Sequence, residues 1–244
     1  EITLDKKVIA AFKARNHAET LIKELELDSL NESDTAVVLF TSGSESAPKG
    51  VPLSHKNIMS NLRGVSAAMQ FHNDDVLYGF LPPFHSFGFT VTTMFPLVSG
   101  LKVAYYPNPT ESSRIAAGCE RWGVTLMAGT PSFVNSILKS AALDQIGKIR
   151  AFIAGAEKVS QELFKMVENL GTGAKILEGY GITECSPILT CNRPDVRSEG
   201  VGIPFPEVEI LIVDPESHEP LPTGERGLIL AHGPNIFSGY LNYP

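Results

Sequence analysis

The stretch Ala36-Val37-Val38-Leu39-Phe40-Thr41-Ser42-Gly43-Ser44-Glu45-Ser46-Ala47-Pro48-Lys49-Gly50 decides how this chain is read. Five apolar residues in a row predict a buried strand. Five of the six residues at 41–46 are small or hydroxylated, and a Pro-Lys-Gly turn follows. Ser54 then opens a segment in which Ile58, Leu62, Val65 and Met69 recur at helical spacing, with Ser54 as the N-cap. A loop with so little side-chain bulk can turn its backbone N–H groups toward a polyanion, while hydroxyls and one ammonium complete the cradle. The competing reading is an ordinary strand-to-helix connection, because Ser, Thr and Gly collect in loops for conformational reasons alone.

Outward from this loop the pattern alternates. Further strand-like runs fall at residues 76–81, 101–105, 124–128, 149–154 and 175–178. Between them, Thr130-Pro131 predicts an N-cap followed by proline at the first helical position, with Val134, Ile137, Leu138 and Ala141 as an apolar stripe. Ser160 predicts a second cap, ahead of Leu163, Met166, Val167 and Leu170, with Gly171 as the stop. Alternation at this spacing implies an α/β fold, a mostly parallel sheet covered by helices. From about Gly200 the helical period disappears, and residues 208–213 and 227–231 alternate between turns rich in Pro and Gly. The expected organisation is a helical lead-in at 1–34, an α/β nucleotide-binding part at 35–192 and a small β-rich part at 193–244.

Composition excludes several classes. The 244 residues carry a formal charge of −7, which argues against a nucleic-acid surface. No apolar run reaches the ~20 residues of a membrane-spanning helix, and no signal peptide opens the chain. Three cysteines without CxxC spacing fit a reduced, cytoplasmic setting better than a disulfide framework or a cysteine metal site. Both ends read as cut, which places any activity in a longer protein; this piece alone is not expected to form product at a useful rate.

A kinase or GTPase phosphate loop, G-x4-G-K-[ST], fails here on two positions: Pro48 stands for the second Gly and Gly50 for Ser/Thr. Three more segments carry candidate chemistry. His85, in Leu81-Pro82-Pro83-Phe84-His85-Ser86-Phe87-Gly88, reads as a gate or carboxylate partner, or else as a satisfied structural histidine. Ala154-Gly155-Ala156-Glu157 ends a strand-like run, where open α/β sheets hold their ligands, although a tight strand–helix turn needs the same small residues. In Gly179-Tyr180-Gly181-Ile182-Thr183-Glu184, Tyr180 offers a face for a base, Thr183 a hydroxyl and Glu184 a hard oxygen for Mg²⁺. Cys185 has no basic neighbour to activate it and reads as packing.

Taken together, T-S-G-S-E-S-A-P-K-G-V with S-H-K-N, the His85 segment, residues 154–158, G-Y-G-I-T-E, and the glycine-rich turns at 200–204, 224–227 and 233–240 resemble the ordered motifs of the adenylate-forming (AMP-binding) superfamily. The resemblance covers residues 41–240. Ser44, Glu45 and Ser46 depart from the usual T-T-G, and the Ser-Glu variant, with Glu184-Cys185-Ser186-Pro187, is similar to the bacterial acyl-[acyl carrier protein] synthetase/2-acylglycerophosphoethanolamine acyltransferase branch. It implies ATP and Mg²⁺ as cofactors, with Thr41, Ser42, Gly43, Ser44 and Lys49 on the β- and γ-phosphates. Gly155, Ala156, Glu157, Gly179, Tyr180 and Gly181 would form the adenine pocket. Thr183 would take the α-phosphate, Glu184 the metal, and His85 would close the acyl site. It further implies fatty-acid activation as acyl-adenylate and transfer to acyl carrier protein. In the full-length protein a lysophospholipid would be reacylated, peripheral to the cytoplasmic membrane. The alternatives are a fatty acyl-CoA ligase and a non-catalytic nucleotide-binding module.

Overall fold

A computed structural model describes residues 3–41, 48–194 and 200–242. The chain divides into two units, Glu1–Asp34 and Thr35–Pro244. The first holds helices α1 (Leu4–Asn16) and α2 (Ala18–Glu24), and α2 buries none of its residues.

The second unit begins with a correction. Strand β1 (Thr35–Thr41) does not join the parallel sheet; it pairs antiparallel with β2 (Lys49–Ser54), Thr41 opposite Lys49. Residues 42–47 therefore connect two antiparallel strands rather than a strand and a helix. The run of apolar residues is misleading because only one face of the ribbon is covered: Leu39 is buried while Phe40 is 66% exposed. Val51 and Leu53 of β2 supply the ribbon's buried side chains.

Ser54 then caps α3 (His55–Ala68) through a reciprocal pair, its Oγ accepting from the Asn57 amide and the Asn57 Oδ1 accepting from the Ser54 amide. The chain continues as β3 (Val76–Gly79), a π-helical turn at Gly88–Met94, α4 (Phe95–Ser99), β4 (Lys102–Tyr105), α5 (Ser112–Trp122) and β5 (Leu126–Gly129). Next come α6 (Pro131–Ser140), α7 (Leu143–Ile146), β6 (Ala151–Ala154), α8 (Gln161–Glu168) and β7 (Lys175–Gly181). The Thr130 and Ser160 caps form as the spacing predicts, accepting from the Phe133 and Leu163 amides.

Strands β4-β3-β5-β6-β7 lie in that order and run parallel. Past Glu178, β7 turns to antiparallel pairing with β8 (Ile188–Cys191), which in turn pairs with β9 (Ile203–Pro204). The mixed α/β class with a mostly parallel sheet is as expected. The β-rich texture after Gly200 resolves into two parts: β9 extends the main sheet, while β10 (Glu209–Val213) and β11 (Leu228–His232) form a separate antiparallel ribbon. Phe205, just after β9, fills the space left by Gly64 of α3; a Cβ there would stand 2.1 Å from the ring.

Two apolar cores result. The larger joins Tyr78, Leu126, Met127, Phe152 and Leu177 of the sheet to Ile115, Val134, Ile137, Leu163 and Val167 of its helices. The smaller collects Leu39, Val51, Leu53, Ile58, Leu62 and Phe95 under the ribbon. Among the described residues no helix is long and apolar enough to cross a membrane.

Candidate functional site

The parallel strands β6 and β7 end beside each other, Ala154 opposite Glu178, and the chain leaves both in small residues. This is the end of an open α/β sheet at which ligand crevices form. A cleft of about 790 Å³ opens there. One wall is Gly155 and Ala156 after β6 with Gly179, Tyr180 and Gly181 of β7; the other is Thr41, Lys49 and Gly50 of the β1–β2 ribbon with Tyr240. His85, Ser86, Phe87, Thr183, Glu184 and Ile188 form the remaining boundary. Residues as far apart in sequence as Thr41 and Tyr240, 199 positions, thus meet in one cavity.

Backbone geometry shapes the first wall. Ala156 sits at φ 68°, a left-handed conformation that costs an alanine about 1 kcal/mol. Gly181 lies so close to the following turn that a Cβ would stand 1.9 Å from the Pro187 carbonyl oxygen. Glycine is required there by contact. Tyr180 presents a ring that is 37% exposed, as a stacking surface requires.

The Thr183-Glu184-Cys185 turn is held from several directions. The Thr183 hydroxyl and Ser86 hydroxyl share a 3.1 Å hydrogen bond, which ties the turn to the His85 loop. His85 Nδ1 accepts the Phe87 amide at 3.3 Å. Beneath the turn, the Asn61 and Asn235 amide groups both donate to the Cys185 and Ile188 carbonyls. The Asn235 Oδ1 is buried with no hydrogen-bond partner among the described residues, a cost accepted where both N–H donors are used. The Glu184 backbone carbonyl accepts the Phe237 amide, and its carboxylate Oε1 accepts the Tyr240 hydroxyl at 2.7 Å. Lys49 Nζ lies 4.9 Å from the centre of the Tyr240 ring.

Of the residues singled out in the sequence, Thr41, Lys49, His85, Gly155, Ala156, Gly179, Tyr180, Gly181, Thr183 and Glu184 line this cleft. Ser42, Gly43 and Ser44 lie outside the described residues. Glu157 does not face the cleft. Its carboxylate accepts the Ser132 amide and hydroxyl at the start of α6, and it borders a second cavity of about 990 Å³ behind β7. The reason is the left-handed turn at Ala156, which redirects the next side chain. Sequence reasoning missed Ser86, Ile188 and Tyr240 as lining residues. Tyr240 stood only in a glycine-rich turn motif, and no local signal links it to Glu184.

The cysteines carry no chemistry. Burial pushes the Cys119 and Cys185 thiols up to about 12 and the Cys191 thiol to about 11. Among the described residues no group of three His, Cys, Asp or Glu side chains converges on one point. A resident metal cage is therefore not what this donor set resembles. A single carboxylate, Glu184, fits the habit of Mg²⁺, which takes one or two carboxylates and completes its shell with substrate phosphates and water.

Comparison with known proteins agrees with this geometry. The family model described as AMP-binding enzyme matches residues 2–241. A long-chain-fatty-acid–CoA ligase of Yersinia pestis is 28% identical over 219 residues, 87% of this chain and 39% of that protein. A 4-coumarate:CoA ligase of Petunia hybrida is 32% identical over 229 residues, again 87% of this chain and 41% of the relative. Among solved structures, ATP-bound MatB from Rhodopseudomonas palustris superposes with a TM-score of 0.79 at 31% identity, over 87% of this chain and 42% of that one. The chain thus spans about two-fifths of the length of the curated relatives it matches.

Proposed function

The chain belongs to the AMP-binding enzyme family, and from that premise we propose that the protein it represents activates a carboxylic acid with ATP and passes the acyl group to a thiol. The observation that carries this reading is the convergence of Lys49, Thr183, Glu184 and Tyr180 on one cleft at the ends of β6 and β7.

A carboxylate is a poor electrophile, and attack of its oxygen on the α-phosphorus of ATP makes a mixed anhydride that a thiol can open. The protein's part is alignment and charge neutralisation. Tyr180 stacks on adenine beside Gly155, Ala156, Gly179 and Gly181. Lys49, with Thr41 and the backbone and hydroxyls of Ser42, Gly43 and Ser44, holds the β- and γ-phosphates. Thr183 donates to the α-phosphate and Glu184 supplies the protein ligand for Mg²⁺, whose contribution when bound is to offset phosphate charge. His85, on the loop that Ser86 ties to Thr183, borders the acyl end. These roles sit together in a cytoplasmic setting, where ATP and thiol acceptors are available.

A fatty acid is the substrate class named in the Yersinia relative, while the Petunia relative names an aromatic acid of similar charge. Coenzyme A is the acceptor both names carry, so CoA is the thiol this reading takes. A second reading has a specific observation behind it: the Ser44-Glu45 variant and the Glu184-Cys185-Ser186-Pro187 turn are similar to the branch that loads acyl carrier protein and reacylates a lysophospholipid. Supplying the full-length protein with fatty acid, Mg-ATP and either CoA or holo-acyl carrier protein separates the two. Acyl-CoA formation supports the first reading, and turnover confined to the carrier protein supports the second. The nucleotide role is checked by calorimetry with Mg-ATP: Lys49→Ala weakens binding roughly tenfold or more, on the scale of a charge-assisted contact. An unchanged affinity would leave a fold whose loop no longer serves ATP.

A further inference from the structure

Two hydroxyl contacts join the His85 loop and the π-helical turn after it to the turn that follows β7, across 97 and 96 positions of sequence. The Ser86 and Thr183 hydroxyls lie 3.1 Å apart, and the Thr90 hydroxyl donates to the Ser186 carbonyl at 3.0 Å. Ser86 is 3% exposed and Thr90 and Ser186 are buried outright, while Thr183 is half-buried and borders the cleft. Main-chain bonds fix the frame around this pair. The Cys185 amide donates to the Ile182 carbonyl, the Ser186 amide to the Thr183 carbonyl and the Phe237 amide to the Glu184 carbonyl. With the backbone held, the freedom left to Thr183 is rotation of its side chain and hydroxyl, and a β-branched residue has few rotamers to choose from.

We propose that Ser86 is a positioning residue that turns the Thr183 hydroxyl proton toward the ligand, the pair forming a short relay that ends on the α-phosphate. Each hydroxyl carries a single proton, so only one of the two can donate across their contact. Ser86 is the one enclosed by protein. Were Thr183 the donor, the Ser86 proton would be buried without an acceptor among the described residues, which burial penalises. Thr183, at the cleft edge, has water or a ligand to receive its proton. The favoured direction therefore runs from Ser86 to Thr183 and on into the cleft. A hydroxyl that accepts one hydrogen bond is also a stronger donor of the next. The buried bond from Thr90 to the Ser186 carbonyl holds the two segments at the separation this relay needs. This inference rests on the nucleotide reading given above for Thr183.

The test is calorimetry of AMP and of adenosine binding to the full-length protein, since the two ligands differ only in the phosphate. Wild type is expected to bind AMP the more tightly. Ser86→Ala is expected to weaken AMP roughly threefold to tenfold while adenosine stays within about twofold. Thr183→Val removes the second hydroxyl of the relay, and adding Ser86→Ala to it is expected to cost AMP binding nothing further. A merely structural role for Ser86 would produce neither result, because it would weaken both ligands and add to the Thr183 loss. Unchanged AMP affinity in Ser86→Ala, equal losses for AMP and adenosine, or additive losses in the double variant overturn the inference while the nucleotide reading stands. Wild type that fails to bind AMP more tightly than adenosine removes the role of Thr183, and this inference with it. Should Ser86→Ala lose its folded near-ultraviolet circular dichroism, Ser86→Cys, of similar size and a weaker donor, decides by the same comparison of ligands.

Discussion

The two walls of the cleft are built by different means. The β6–β7 wall continues out of the larger core: Phe152, Ala154 and Leu177 are buried, and each strand is hydrogen-bonded along both edges. The opposite wall is a two-stranded ribbon over six apolar side chains, with Tyr240 laid across it. An ATP-using site needs one surface that holds its shape and another that admits and releases a large polyanion. Burial supplies the first, and a thinly covered ribbon supplies the second.

The largest effect that could break this contrast is in the core behind the rigid wall. Phe152→Ala removes a fully buried ring and is expected to cost about 3–5 kcal/mol in chemical denaturation, whereas Leu39→Ala under the ribbon costs about 2–3. Equal costs would show that the ribbon is as integrated as the sheet. Hydrogen exchange sharpens the same point, since β6 amides are expected to open only with global unfolding and β1 amides by local opening.

Next in size is Asp75, at the base of the sheet and 2% exposed. Burial alone would push its carboxyl up, but hydrogen bonds from Arg150, the His72 amide and Thr125 outweigh it and hold the carboxyl at about 2. The folded state therefore binds this proton less readily than the unfolded chain. The stabilisation is complete above the ordinary carboxylate value of 3.8 and is lost as pH falls from about 4 toward 2. Asp75→Asn is expected to lower stability by about 2–3 kcal/mol at neutral pH and to flatten that acid limb, as read in melts between pH 2 and 7. A mutant limb as steep as wild type would assign it to other carboxylates.

The smallest effect is at Ala156. Glycine there relieves the left-handed strain but gains freedom in the unfolded chain, for a net stabilisation of about 0.5–1 kcal/mol. A destabilised Ala156→Gly would mean that the wall draws more from the methyl group than from the backbone.

Much of this was legible because it is local. Ser54, Thr130 and Ser160 cap their helices, and the stripes behind Thr130 and Ser160 face the core, since capping and helical period are decided within a few residues. The residues at the ends of β6 and β7 reached the cleft for a similar reason, because parallel strands present their C-terminal turns on one edge. The errors lay where a partner was needed. The run at 36–40 looks the same whether a strand is covered on one face or two, and only the pairing with β2 distinguishes them. Glu157 has the composition of a pocket residue, but a left-handed turn one residue earlier sends it to Ser132.

The sequence by itself determined the strands of the parallel sheet, the caps at Ser54, Thr130 and Ser160 that open α3, α6 and α8, and that a small-residue loop with one lysine precedes a G-Y-G-I-T-E turn. Those features depend on short-range sterics and periodicity. Only the tertiary structure decided that β1 leaves the sheet for a ribbon, that the cleft has one deep wall and one shallow one, and that the Tyr240 hydroxyl reaches the Glu184 carboxylate. Contacts across 56 and more residues depend on which surfaces can be buried together, and that is settled by packing of the whole unit.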